Sequence, residues 1–479
     1  MLIGGVLSEA EDGATLETRS PFTEEVIGYA PDASAGDVDK SVKAGLAVAR
    51  EWREIGPLER AKYLRRLAVV LLENEAELAL LDALDGGNPV TAMRGDVRIA
   101  ADILNLYADW AIELKGETIP STPDRLHYTV REPFGVVARI VPYNHPLMFT
   151  AGRIAAPLVA GNAVVVKAAD QTPLSSLRVG ELFADELPPG VLSILTGQGA
   201  VSGDALVRHP QIRRIAFIGS VSTGRRIQQA AAEAGVKTVT AELGGKNPLI
   251  VFPDADPTAA AEGAVRGMNF HWSAGQSCGS TSRLLIHESL YDEVVKKVVD
   301  GVAQVRVGSP LDPLSEMGTM VSEQQYDKVM GFIERAQKDG AEVLAGGGRP
   351  DGVGFAKGFF VAPTVLGGVT PDMEIAQEEV FGPVLSVMSF RSDDEAIEIA
   401  NGTSFGLTAS LWTRDVGRAH SIAREIEAGY VWINGSSAHY LGLPFGGFKD
   451  SGVGREEGVE EMLSFTQVKA VTIPLEVPR

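Results

Sequence analysis

Apolar positions first recur at helical spacing. Val38, Val42, Leu46 and Ala49 fall on one face of a helix expected over 37–52, with Asp37 placed to cap it. A longer helix is expected over 57–86, proline in its first turn and glycine at its end. A third covers roughly 96–110. This helical opening carries no nucleotide-binding pattern of its own. Over 117–132 the period is lost and prolines mix with Thr, Tyr and Val, the composition of an extended ribbon. Short apolar runs then alternate with helical segments. Strands are predicted at 135–141, 163–167, 191–195, 214–218 and 238–241, with helices at 174–185 and 223–233. A second alternating run begins near Pro248, with strands at 249–252, 283–286, 384–390, 408–412 and 430–434 and helices at 257–270, 290–305 and 393–400. Apolar strands alternating with helices imply parallel sheets covered on both faces, so the fold class is α/β. A boundary is expected near Gly244-Gly245. The run 463–473 reads as a lone strand, which could pair with the 117–132 ribbon and then with another subunit's sheet.

A chain of 479 residues exceeds one simple core and implies two or three domains. Its net charge of −20 opposes binding to nucleic acid or anionic lipid, and no concentrated Lys/Arg run overrides it. A single cysteine excludes an intrachain disulfide and a Cys-based zinc cluster, and no metal site is expected. The first nine residues lack a basic region and a long apolar stretch, and the apolar run 154–166 is broken by Asn162. A soluble, cytoplasmic protein is the expectation.

The one cysteine, Cys278, is crowded by Ala274, Gly275, Ser277, Gly279 and Ser280, not by the branched apolar residues that surround a packing thiol. A ligand could come close to it. Asn144 lies between Pro142 and Pro146 just past a strand, where its amide could be held stiff as a donor to a developing oxyanion; an Asn there equally serves as a turn former. Glu242 stands at a strand end before Gly244-Gly245, free to swing toward a ligand or to remain a solvated carboxylate. Neither phosphate-binding glycine fingerprint is present. The turn Gly219-Ser220 between a strand and a helix offers an alternative, Ser220 bonding phosphate or merely capping.

Taken together, seven segments in order resemble the aldehyde dehydrogenase superfamily. They are Tyr143-Asn144-His145-Pro146, the run 166–173, Phe217-Ile218-Gly219-Ser220, Glu242-Leu243-Gly244-Gly245-Lys246, Gly275-Gln276-Ser277-Cys278, the run 378–383 and the run 444–449. The resemblance spans nearly the whole chain. It implies Cys278 as nucleophile, Asn144 and the Cys278 backbone N–H as oxyanion hole, and Glu242 as general base. It implies a cofactor site of Lys167, Asp170, Pro142, Tyr143, Gly219, Ser220, Glu379 and Phe381. The carboxylate of Asp170 would bind ribose hydroxyls and repel a 2′-phosphate, favouring NAD over NADP. Met148, Trp272, Ser277, His439 and Tyr440 fall in segments that line the family's substrate tunnel and suggest an apolar or aromatic aldehyde, although core packing would use the same residues. His271 and Trp272 would reshape that tunnel. No Arg stands in these segments to receive a second carboxylate.

The implied architecture is a Rossmann-like cofactor domain (1–117 and 134–245), an α/β catalytic domain (246–446), a small β oligomerisation arm (118–133 and 461–479) and a connecting segment (447–460), in a homodimer or homotetramer. A CoA-acylating relative generally lacks the base found here as Glu242. A silent binding or structural relative would not need Cys278, Glu242 and Asn144 together.

Overall fold

Two mixed sheets organise the chain, and the computed structural model describes residues 1–475. The last positions of the expected arm, 476–479, lie outside the described residues. The first sheet has a parallel centre in the order Leu192–Leu195, Ala163–Lys167, Val136–Ile140, Arg214–Ile218, Thr238–Glu242. In chain order this is 3-2-1-4-5. The direction of winding therefore reverses between Val136–Ile140 and Arg214–Ile218, which leaves a crevice at their carboxyl ends. The segments 142–144 and 218–220 leave those two strands at that crevice. Ala163–Lys167 is buried throughout, because helices cover both faces.

The second sheet runs Glu342–Ala345, Thr364–Gly367, Val384–Phe390, Arg283–His287, Pro248–Val251, Thr408–Trp412, Tyr430–Ile433, and all but its first pairing is parallel. Thr238–Glu242 belongs to the first sheet and Pro248–Val251 to the second, so the chain passes between them across Gly244-Gly245. A third sheet of Thr118–Thr122, Arg125–Pro133 and Thr466–Pro474 stands apart, the last two antiparallel in continuous register. The strand Gly452–Val453 returns to the edge of the first sheet beside Thr238–Glu242.

Several expectations need correction. The opening is not all helical: the first 31 residues hold four short strands, of which Leu2–Ile3 and Val6–Leu7 extend the first sheet. Ser34, not Asp37, caps the helix Ala35–Glu54. Asp37 sits in its first turn and accepts from the Ser34 N–H at 2.9 Å, while Ser34 Oγ accepts from the Asp37 N–H at 3.2 Å. The 57–86 helix is two, Pro57–Glu73 and Glu75–Gly86, broken at Asn74, whose Nδ2 donates to the Val70 carbonyl at 2.8 Å. The third helix starts earlier, Val90–Asp109. The helix Glu323–Lys338 and the strands Glu342–Ala345 and Thr364–Gly367 were not anticipated.

Candidate active site

Cys278 lies in the loop between the short helix Phe270–Ser273 and the strand Arg283–His287. No helix begins at the thiol. Asn269 and Ala274 bracket the short helix with φ of 54° and 52°, a left-handed conformation that costs a non-glycine residue roughly 1–2 kcal/mol. Gly275 follows at φ 74°, and a Cβ there would lie 2.3 Å from the Gly382 carbonyl oxygen. Only glycine lets the loop pass this close to the 378–383 segment. Buried amides hold the strained loop. Asn247 Nδ2 donates to the carbonyls of Cys278 at 2.7 Å and Ser280 at 2.9 Å, and its Oδ1 accepts from the Thr408 N–H at 3.0 Å. Gln276 Nε2 donates to the carbonyls of Ser273 and Thr319, while its Oε1 accepts from the Val321 N–H at 3.0 Å.

Two cavities meet at Cys278. Asn144, Phe149, Glu242 and Cys278 line both. The first cavity runs along the crevice of the first sheet and brings together Pro142, Tyr143, Gly219, Ser220, Glu379 and Phe381. Tyr143 meets Phe381 edge to face, with ring centroids 5.8 Å apart. Ser220 caps the helix Val221–Ala234, its Oγ accepting from the Thr223 N–H. Glu379 is anchored by the Gly245 N–H at 3.0 Å, and a Cβ on Gly244 would lie 2.2 Å from its other oxygen. Paired glycines thus admit a carboxylate from the second sheet's side of the chain. Lys167 and Asp170 are not among the walls of this cavity. Lys167 ends the neighbouring strand, buried; burial lowers its pKa, against the pull of Asp170 and Asp32.

The second cavity brings together Met148, Trp272, Ser277 and His439, but not Tyr440, which is 61% exposed. Leu441 takes the wall instead. His271 faces outward, into a surface hollow beside Lys297. Sequence reasoning missed His145, Phe149 and Ile99 on this wall, the first two although they share a segment with Asn144 and Met148. It also missed Arg153, Glu456 and Glu457. An arginine does line the cavity, then, but Arg153 is taken up by Glu457 at 2.7 Å and Glu456 at 3.2 Å. Burial opposes ionisation of Glu457, yet Arg153 and His439 hold it at about 2.

Electrostatics at the junction favour neutral groups. Burial, reinforced by the Glu456 carboxylate, pushes Glu242 up to about 8. Burial and the adjoining Glu242 raise the Cys278 thiol well above the ordinary range. Asn144 is buried, its Oδ1 without a partner, and its own carbonyl accepts from Asn88 Nδ2 at 2.9 Å.

The chain matches the aldehyde dehydrogenase family profile over residues 8–471. It belongs to the aldehyde dehydrogenase family. The aldehyde dehydrogenase tropH of Talaromyces stipitatus is 46% identical over 466 residues, 96% of this chain and 90% of that relative. A structure of aldehyde dehydrogenase from Bacillus cereus with NAD+ superposes at TM-score 0.96 and 40% identity, covering 99% of this chain and 96% of that one. The indole-3-acetaldehyde dehydrogenase AldA of P. syringae, solved as a mutant with NAD+ and IAA, gives TM-score 0.96 at 36% identity, again covering 99% and 96%. In this chain the crevice and the second cavity converge on one thiol. Among the described residues no helix is long and apolar enough to cross a membrane, and no cluster of three His, Cys, Asp or Glu could hold a metal ion.

Proposed function

We propose that this aldehyde dehydrogenase oxidises an apolar, aromatic aldehyde to the carboxylic acid with NAD, through a covalent adduct on Cys278. One observation carries the reading: Asn144, Glu242 and Cys278 stand where the two cavities join. The NAD-bound relatives support the choice of cofactor. The residues present fit it. Ser220 opens the helix Val221–Ala234 toward the crevice, a site for pyrophosphate; Glu379 is placed for a ribose beside Phe381 and Tyr143. Lys167 would hold the adenosine ribose together with Asp170. We assign 1–117 and 134–245 to cofactor binding, 246–446 to catalysis, and the third sheet to assembly of a homodimer or homotetramer.

Chemistry starts from the fraction of Glu242 that is ionised. Glu242 takes the thiol proton, directly or through water, and the thiolate sulfur adds to the aldehyde carbon. Charge then develops on the former carbonyl oxygen. The Asn144 amide and the Cys278 N–H stabilise it; loss of one such donor costs about 2.7–4 kcal/mol of barrier. When bound, NAD supplies the hydride acceptor that lets this tetrahedral adduct become a thioester. Once that first proton has passed to solvent, Glu242 removes a proton from water, which attacks the thioester carbon; the C–S bond breaks, Cys278 leaves as a thiolate that Glu242 reprotonates, and the acid departs. An intact base at Glu242 supports release to water over release to CoA.

Substrate class rests on the second cavity. Phe149, Trp272 and Phe445 supply aromatic walls, and Arg153 is already balanced by two carboxylates, so a second anionic group on the substrate finds no free counter-charge. The test is an NADH-absorbance screen across aldehydes with both cofactors, with and without CoA. Benzaldehyde should exceed succinic semialdehyde in kcat/KM, with NAD above NADP and free acid as product in either case. The reverse order of aldehydes refutes the substrate reading, and CoA-dependent turnover refutes the hydrolytic one.

A further inference from the structure

One wall of the second cavity is more polar than an aromatic lining requires. His145 and Trp272 pack at 4.6 Å between ring centroids, and both bond the same carboxylate. Asp96, wholly buried on the helix Val90–Asp109, accepts from Trp272 Nε1 through Oδ1 at 2.7 Å. Its Oδ2 lies 2.7 Å from His145 Nδ1. Both oxygens are engaged, so the carboxylate fixes the planes of two rings at once. Phe149 closes the group edge to face, 5.8 Å from His145.

Simple apolar packing would be served by phenylalanine at position 145, without burying an imidazole and a carboxylate together. His145 is 3% exposed. With Nδ1 bonded to Asp96, Nε2 is its one remaining polar atom. Nε2 has no partner among the described residues, yet it is not among the polar atoms sealed inside protein, and His145 is a wall residue of the cavity that ends at Cys278. An unpaired ring nitrogen therefore opens onto the space where a substrate would lie.

We propose that Asp96, His145 and Trp272 read a ring hydroxyl, so that the preferred substrate is a hydroxylated aromatic aldehyde. The inference rests on the aromatic-aldehyde reading above and narrows it. With Asp96 accepting from Nδ1–H, the neutral ring offers Nε2 as an acceptor; a protonated ring offers Nε2–H as a donor. A hydroxyl satisfies either form. A methoxy group satisfies only the second, and an unsubstituted ring neither. Trp272 and Phe149 hold the ring while His145 selects its substituent. Asp96 is a positioning residue, acting through the two rings it bonds.

The experiment measures kcat/KM for benzaldehyde and for the 2-, 3- and 4-hydroxy and methoxy benzaldehydes, with the full chain and NAD. Wild type, His145→Phe and Asp96→Asn are compared. The readout is the hydroxy-to-methoxy ratio, which cancels changes in overall rate. In wild type the ratio should reach about tenfold for at least one ring position. It should fall to near one in His145→Phe and drop severalfold in Asp96→Asn, where one acceptor oxygen is lost. If His145→Phe does not fold, the Asp96→Asn ratio decides. A wild-type ratio near one at every ring position overturns the proposal while leaving the aromatic reading intact, provided benzaldehyde is turned over. A ratio unchanged in the variants overturns it as well. Failure to turn over any benzaldehyde, with aliphatic aldehydes accepted, overturns both.

Discussion

Cys278 and Glu242 share a buried corner: burial and the Glu456 carboxylate keep the Glu242 carboxyl protonated, and burial with the adjoining Glu242 keeps the thiol so. The thiol lies well above its ordinary range and the carboxyl at about 8, so the resting pair is neutral near pH 7. Base catalysis by Glu242 needs the carboxylate, so kcat should climb with pH through about 8 and level off above it, a profile that Glu242→Gln abolishes. The same shift sets a stability trend. Folding raises this carboxyl from 4.5 to about 8, so its favourable contribution is full below pH 4.5 and lost as pH rises through about 8. Glu242→Gln carries no such loss. Its melting temperature should therefore gain on wild type between pH 5 and pH 9, and parallel melting curves across that range would contradict the buried-carboxyl assignment. Cys278→Ala should remove turnover entirely while NAD still binds, as calorimetry would read; residual aldehyde oxidation would leave the sulfur without its role. That Cys278, Glu242 and Asn144 would come together was legible only through the resemblance of seven ordered segments, since each residue alone had an equally plain structural reading. Asn247, which clamps the Cys278 carbonyl, was not: an Asn beside a strand has no signal of its own until the partner loop, 31 residues away in sequence, is seen against it.

Elements were most readable where burial is complete. Ala163–Lys167 and Arg214–Ile218 are buried at every position and match the apolar runs end to end. Edges and short strands were not readable. Val6–Leu7 is exposed and two residues long, and Thr364–Gly367 offers only four residues with no period. The break at Asn74 was hidden because apolar periodicity continues on both sides of it. The cap at Ser34 illustrates a reciprocal pair read the wrong way round: Asp37 looked like the cap because it opens the apolar face, but it is the partner three residues inside. Ser34→Ala should lower unfolding free energy by about 1 kcal/mol in a urea titration, with little change in slope. Wild-type stability in that variant would mean that Asp37 alone satisfies the helix start.

At the scale of the molecule, a buried charge cluster joins the two ends of the fold. Arg139 on the first sheet meets Glu456 at 2.7 Å and also Glu461 on the helix Val459–Ser464, while Arg153 meets Glu456 and Glu457. These residues lie more than 300 positions apart, so no local pattern could have announced the pairing. Glu456 also lines the second cavity, which ties the placement of the segment between the strand Gly452–Val453 and the helix Val459–Ser464 to the shape of the site. Removing one partner strands buried charge: Glu456→Gln should destabilise the chain by about 3–5 kcal/mol, measured by denaturant melt. Among the described residues the strand Thr466–Pro474 pairs with Arg125–Pro133 on one side only, which leaves an open edge where Val468 is 61% exposed. We expect that edge to meet a second copy. Val468→Lys should shift the assembly toward smaller species in light scattering, and an unchanged mass would place the contact elsewhere.

That the chain carries its sulfhydryl at one address alone has a practical sequel. An alkylating reagent has no second target, so the label taken up, read by intact mass, should not exceed one per polypeptide. Loss of aldehyde oxidation should track that uptake one for one. The stoichiometry then counts competent centres in any preparation, and would expose half-of-the-sites behaviour without a structure of the assembly.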